Sequence, residues 1–219
     1  MAVALNVGAS AGWAGAQNAA AATPAAPVSQ AAPARNTVLV LGDSLSAEYG
    51  LKRGSGWVAL LEQKLATEHI SARVVNASIS GDTSSGGRSR LPALLAQHRP
   101  TLVIIELGGN DALRGLPLAM TEGNLRQMTQ AAQKAGARVL LVGMQVPPNY
   151  GSAYGQQFAG LFDQVARAQK AAVVPFLLKG VADDAEPGRM FQPDRIHPVE
   201  AAHPVMLANV WPELKKLLK

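Results

Sequence analysis

From position 37 onward, short runs of aliphatic residues alternate with longer stretches whose apolar and polar positions suit helices. The runs at 37–41, 73–76, 102–107, 138–142 and 172–174 are dominated by Val, Leu and Ile, so they read as strands buried on both faces. Between them, 57–67, 88–98, 122–135, 154–170 and a final stretch, 199–218, read as helices. Thr121 and the Ser84–Ser85 pair are the expected N-caps, and Gly136 is an expected helix stop. This alternation predicts an α/β fold, a three-layer α/β/α arrangement around a five-stranded parallel sheet of flavodoxin-like order 2-1-3-4-5. No internal repeat interrupts it.

The leading segment, 1–36, breaks the pattern. It is mostly Ala with interspersed Pro, Gly, Ser and Gln, and it carries no charge before Arg35. Two expectations compete: a secretory signal ending in a small-residue cleavage site, or a disordered tail. The missing basic start and the Gly and Asn interruptions between Met1 and Ala22 weigh against the signal. The folded domain is expected at 37–219.

Composition narrows the chemistry. At 219 residues and 48% hydrophobic, the chain can bury one full core without metal or disulfide support. It has no cysteine, which removes thiolate nucleophiles and thiolate metal sites and leaves an oxygen or a lysine as the available nucleophile. The net charge of +5 is scattered, with no basic run longer than two residues and only 5% aromatics, so nucleic acid is not an expected partner. No apolar stretch reaches the roughly 18 residues of a membrane span.

In an open parallel sheet, ligands collect outside the carboxyl ends of the strands. Here the first three strands run into Gly42-Asp43-Ser44-Leu45-Ser46, into 77–83 (ASISGDT) and into Gly108-Gly109-Asn110-Asp111. Each alone is a plausible tight turn. Their conjunction with Asp194-Arg195-Ile196-His197-Pro198 is more demanding, because a carboxylate and an imidazole three residues apart can face the same side of the chain. Acyl transfer needs a nucleophile, a base, an acid that orients the base, and oxyanion donors. Ser44, His197 and Asp194 fit the first three roles. The backbone N–H groups of Ser44 and Gly81 and the side-chain amide of Asn110 fit the last, and they need no cofactor or metal.

The strings 39–46 (LVLGDSLS), 76–83 (NASISGDT), 106–111 (ELGGND) and 194–198 (DRIHP) resemble blocks I, II, III and V of the SGNH, or GDSL-like, hydrolases. The likeness is to their bacterial branch of thioesterases, lysophospholipases and arylesterases. It implies the SGNH fold, Ser44 as nucleophile and oxyanion donor, Gly81 and Asn110 as the other donors, and Asp194 with His197 completing a triad. It also implies acyl ester and thioester substrates (aryl esters, acyl-CoA, lysophospholipids), transient contact with lipid, and a periplasmic or secreted location, against the cytoplasmic alternative. One departure is Arg195, where this branch usually carries Gly; the cation either meets an anionic substrate group or points to solvent.

His69 and His98 sit at expected helix ends and read as structural, and His203 lies inside the expected final helix. Asp43, Asp82 and Asp111 read as Asx-turn formers. Glu106, in an apolar strand, is expected to pair with Arg90 or Arg114. The loop 144–155, with Pro147, Pro148, Tyr150 and Tyr154, is the candidate wall of an acyl pocket. The rival readings are a carbohydrate O-deacetylase on the same machinery and a non-catalytic flavodoxin-like binding protein that cradles phosphate.

Overall fold

The computed structural model describes residues 36–184 and 186–219. The segment 1–36, read as a signal or tail, lies outside the described residues except for Asn36.

Five strands, β1 (Asn36–Gly42), β2 (Ala72–Asn76), β3 (Leu102–Glu106), β4 (Arg138–Val142) and β5 (Ala172–Val174), form one parallel sheet of order β2-β1-β3-β4-β5. The central strands are the aliphatic ones. Val38 to Leu41 and Leu102 to Ile105 are fully buried, as the absence of polar alternation requires. Each such Leu, Ile or Val contributes about 1.5–3 kcal/mol by leaving water.

The helices are α1 (Trp57–Thr67), α2 (Ser84–His98), α3 (Gly109–Leu113), α4 (Leu118–Lys134), α5 (Ser152–Gln169) and α6 (His203–Leu217). α1 packs on α6, while α2 packs on α4 and α4 on α5, so both faces of the sheet are covered. Gly136, at φ 85°, follows the last turn of α4 as a helix stop should. His69 lies two residues past the end of α1, and His98 is the last residue of α2.

Three local expectations need correction. α2 begins at Ser84 rather than at 88, and its cap is Thr83, whose hydroxyl oxygen accepts from the Gly86 N–H at 3.2 Å. Thr121 is not a cap. α4 starts three residues earlier, and the buried Thr121 hydroxyl donates to Asp111 at 3.2 Å. The expected final helix 199–218 opens with a single 3-10 turn, Glu200–Ala202, before α6.

Because every strand runs the same way, the loops that follow β1, β2 and β3 come side by side at one edge of the sheet. Ile79 N–H donates to Gly42 O at 3.0 Å, which ties the β2 loop directly to the end of β1.

Candidate active site

β1 ends at Gly42, where the side chains of Ser46 and Glu106 crowd the backbone. A Cβ would lie 2.8 Å from Ser46 Cβ and 2.9 Å from Glu106 Oε2. The chain then turns sharply, with the Asp43 carboxylate accepting from the Leu45 N–H at 3.0 Å and the Asp43 carbonyl accepting from Ser46 and Ala47. That turn lifts Ser44 to the sheet edge, half-buried.

His197 reaches the same point from the far end of the chain. Its Nε2 is 2.9 Å from Ser44 Oγ, and its Nδ1 is 2.7 Å from Asp194 Oδ2. An ionised carboxylate only accepts, so Nδ1 carries the proton and Nε2 is left to accept from the serine hydroxyl. Asp194 also accepts from the Ile196 and His197 N–H groups at 2.9 and 3.0 Å. The His197 backbone and ring N–H bonds, then that of Ile196, hold its carboxyl down at about 2. It therefore stays anionic wherever an imidazolium would form. Tyr49, which the sequence did not single out, lays its ring 4.2 Å from that of His197.

Asn110 projects from the first turn of α3, and both amide hydrogens are engaged: Nδ2 donates to Asp43 Oδ2 at 3.0 Å and to Asp82 O at 2.9 Å. Gly81, at φ 78°, adopts a backbone that side chains resist, and only Arg114 comes within 4 Å of where its Cβ would be. The three expected donors, Ser44, Gly81 and Asn110, thus stand on three adjacent loops.

Glu106 pairs with neither Arg90 nor Arg114. Its Oε2 accepts from Ser46 Oγ at 2.7 Å and from the Asp43 N–H at 3.3 Å, and Ser46 Oγ in turn accepts from Trp57 Nε1 at 3.2 Å. Arg90 bridges Asp82 at 2.8 Å, and Arg114 donates to Gly81 O at 2.8 Å. Burial, with the neighbouring Asp43 carboxyl adding to it, raises the Glu106 carboxyl well above its ordinary range. Burial also pushes Asp43 up to about 6, against the opposing pull of the Leu45 N–H.

Asp43 forms the expected Asx turn; Asp82 and Asp111 do not, since Asp82 accepts from the adjacent Thr83 N–H at 3.0 Å and Asp111 bonds to other elements. It is fully buried and accepts from the Ser84 N–H at 2.8 Å and the Ser84 hydroxyl, pinning the start of α2 to α3. His203 is buried, and its Nδ1 accepts from the Trp57 N–H at 3.0 Å, closing the N-terminus of α1. Burial lowers its pKa, consistent with a neutral acceptor.

A cavity of about 650 Å³ is lined on one side by Gly109, the neighbour of Asn110, and by Arg195 and Ile196, which precede His197; Ser44 and His197 do not line it themselves. Leu113, Met144, Val146, Phe176, Phe191 and Ile196 make its wall largely apolar. The 144–155 loop contributes Met144, Val146, Pro147 and Pro148 to it. Its tyrosines do not line this cavity: Tyr150 and Tyr154 stack on one another at 6.3 Å. Phe176 and Phe191 come from the loop after β5, where sequence gave no signal because a lone Phe in a loop has no periodicity.

Residues 40–205 match the model of the GDSL-like Lipase/Acylhydrolase family. The chain is 55% identical to esterase TesA of Pseudomonas aeruginosa across 84% of this chain and 90% of the relative. It is 42% identical to thioesterase 1/protease 1/lysophospholipase L1 of Escherichia coli, across 85% of this chain and 87% of the relative. Among solved structures, that of TesA superposes with a TM-score of 0.80, covering 83% of this chain and 99% of the other. A psychrotrophic esterase EstA from Pseudoalteromonas sp., inhibited by monoethylphosphonate, is 40% identical and superposes with a TM-score of 0.78, covering 84% of this chain and 98% of the other. With the family's pattern spanning most of the described residues and the Ser44–His197–Asp194 chain at its centre, this protein belongs to the GDSL-like lipase/acylhydrolase family.

Proposed function

We propose that this protein is a serine esterase and thioesterase that hydrolyses acyl esters through a covalent acyl-enzyme on Ser44. The observation that carries the proposal is the unbroken chain Ser44 Oγ, His197 Nε2, His197 Nδ1, Asp194 Oδ2, with links of 2.9 and 2.7 Å. Ser44 Oγ attacks the acyl carbon as His197 takes its proton, and Asp194 stabilises the imidazolium. The carbonyl oxygen becomes an oxyanion, met by the N–H groups of Ser44 and Gly81 and by the Asn110 amide, one of whose two N–H groups turns to it from Asp43 or Asp82. Collapse expels the alcohol or thiol, which takes the proton from His197. A water then repeats the sequence on the acyl-enzyme, releasing the acid and restoring the Ser44 hydroxyl.

The apolar cavity supports acyl chains over acetylated sugars, since an acetyl group would leave most of 650 Å³ unfilled. Aryl esters, acyl-CoA and lysophospholipids all meet that requirement. The relatives' names point the same way, being an esterase and a thioesterase/lysophospholipase. A periplasmic or secreted location, with passing contact with lipid, completes the reading; its supports are the alanine-rich segment 1–36 and the family resemblance. Among the described residues no helix is long and apolar enough to cross a membrane.

The test of the substrate class is kcat/KM for p-nitrophenyl esters from acetate to dodecanoate. Each methylene that enters the cavity contributes up to about 0.8 kcal/mol, so the profile should rise by nearly fourfold per carbon until the cavity fills. A profile that is highest at acetate and falls thereafter would favour the deacetylase reading instead.

A further inference from the structure

Arg195 stands where the cavity meets the catalytic loop, and nothing in the reaction above uses it. Its backbone is firmly held. Arg195 N–H donates to Gln192 O at 2.9 Å, and the next two N–H groups are bound by the Asp194 carboxylate. The residue takes φ 58°, a conformation that side chains other than Gly resist. Its side chain is exposed and contributes to the wall of the 650 Å³ cavity, alongside Ile196.

The acidic side chains of this part of the chain have other partners. Asp194 serves His197; Asp183, also on the cavity wall, accepts from the Gly180 N–H; Asp184 accepts from Glu186 N at 2.8 Å; and Glu186 pairs with Arg189 at 3.3 Å. Among the described residues the Arg195 guanidinium has no ion-pair or hydrogen-bond partner. A positive charge, two residues from the catalytic histidine and on the wall of an otherwise mainly apolar cavity, is complementary to one kind of substrate: an apolar acyl compound that also carries an oxyanion.

Resting on the esterase reading, we infer that Arg195 is a specificity-determining residue that selects acyl esters and thioesters bearing a phosphate or carboxylate. The guanidinium fork matches either group in bidentate fashion. The apolar part of the substrate fills the cavity while the anion is met at its wall. Two sources share that chemistry, an anion on the leaving group and an anion on the acyl chain.

The experiment compares matched substrate pairs at low ionic strength with the full chain and with Arg195→Gln and Arg195→Lys. One pair is hexanoyl-CoA against the hexanoyl thioester of N-acetylcysteamine, whose leaving group keeps the thiol end of CoA and lacks its phosphate-bearing nucleotide. The other is the mono-p-nitrophenyl ester of adipic acid against p-nitrophenyl hexanoate, which differ by a carboxylate on the acyl chain. In at least one pair, the anionic-to-neutral ratio of kcat/KM should fall about five- to tenfold in Arg195→Gln, with Arg195→Lys between. The wild-type ratio in that pair should also shrink with added salt. The pair that responds identifies where the anion sits. Ratios unchanged in both pairs, with the neutral substrates still hydrolysed by the wild type, would overturn the inference while sparing the esterase reading. A wild type that hydrolyses neither neutral substrate would remove that reading and the inference with it.

Discussion

At the scale of single residues, the site depends on carboxyl groups whose surroundings drive them in opposite directions. Asp194 is held anionic by three N–H donors, and burial drives the Glu106 carboxyl the other way. Asp43 lies between them in behaviour and touches Asn110 directly. Asn110→Ala should cost roughly 2.7–4 kcal/mol in kcat with little change in KM, since its amide bonds the oxyanion more strongly than the ground-state carbonyl. A rise in KM alone would make Asn110 a substrate-binding group. Asp43 carries a stability prediction as well. Its folded pKa, about 6, lies above the ordinary 3.8, so it contributes stability below pH 4 that declines as pH rises and is gone above about 6. The shift corresponds to roughly 3 kcal/mol. Denaturant titrations of wild type and Asp43→Asn at pH 4 and pH 7 should therefore show the variant gaining on the wild type at the higher pH. A difference that does not change with pH would mean Asp43 is not buried as a titrating acid. Neither carboxyl's state was legible in the sequence. A buried Glu in a strand is visible there, but whether it ionises depends on the Ser46 hydroxyl and Asp43 N–H that only the fold brings to it.

At the scale of elements, the strands were the most legible part because the aliphatic runs have sharp ends, as in β4 and β5, found at the expected bounds. The beginning of α2 was hidden by Gly86 and Gly87, poor helix formers that argue for a turn. Tertiary contacts override that preference, since Asp111 and the Thr83 cap fix the first turn from outside. α3 escaped notice because five residues rich in Gly, Asn and Asp read equally well as a loop. His203 links two elements. By accepting from the Trp57 N–H it supplies α1 with a partner that its own N-cap, Gly56, cannot provide. His203→Ala should cost about 1–3 kcal/mol in chemical denaturation by orphaning that buried N–H, with kcat for a p-nitrophenyl ester close to wild type. A variant of undiminished stability and abolished turnover would instead make His203 part of the chemistry.

On the scale of the whole molecule, the parallel sheet is what makes the chemistry possible. It delivers Ser44, Gly81 and Asn110 from three successive strand ends to one edge, and α6 is preceded by the loop that returns Asp194 and His197 to them. The order 2-1-3-4-5 and the meeting of distant motifs were foreseeable from the alternation of strands and helices. The cavity was not, because its walls come from 109–113, 144–148 and 176–196, and no pattern in the chain marks those segments as neighbours. The central claim is that Ser44 is the nucleophile of an acyl transfer, and covalent trapping tests it most directly. The protein is treated with an alkyl p-nitrophenyl phosphonate, digested, and mapped by mass spectrometry. The account predicts one equivalent of phosphonyl adduct on the peptide carrying Ser44, loss of esterase activity in step with labelling, and no adduct in His197→Ala under the same conditions. Full labelling at another residue, or esterase activity that survives complete modification of Ser44, would contradict it.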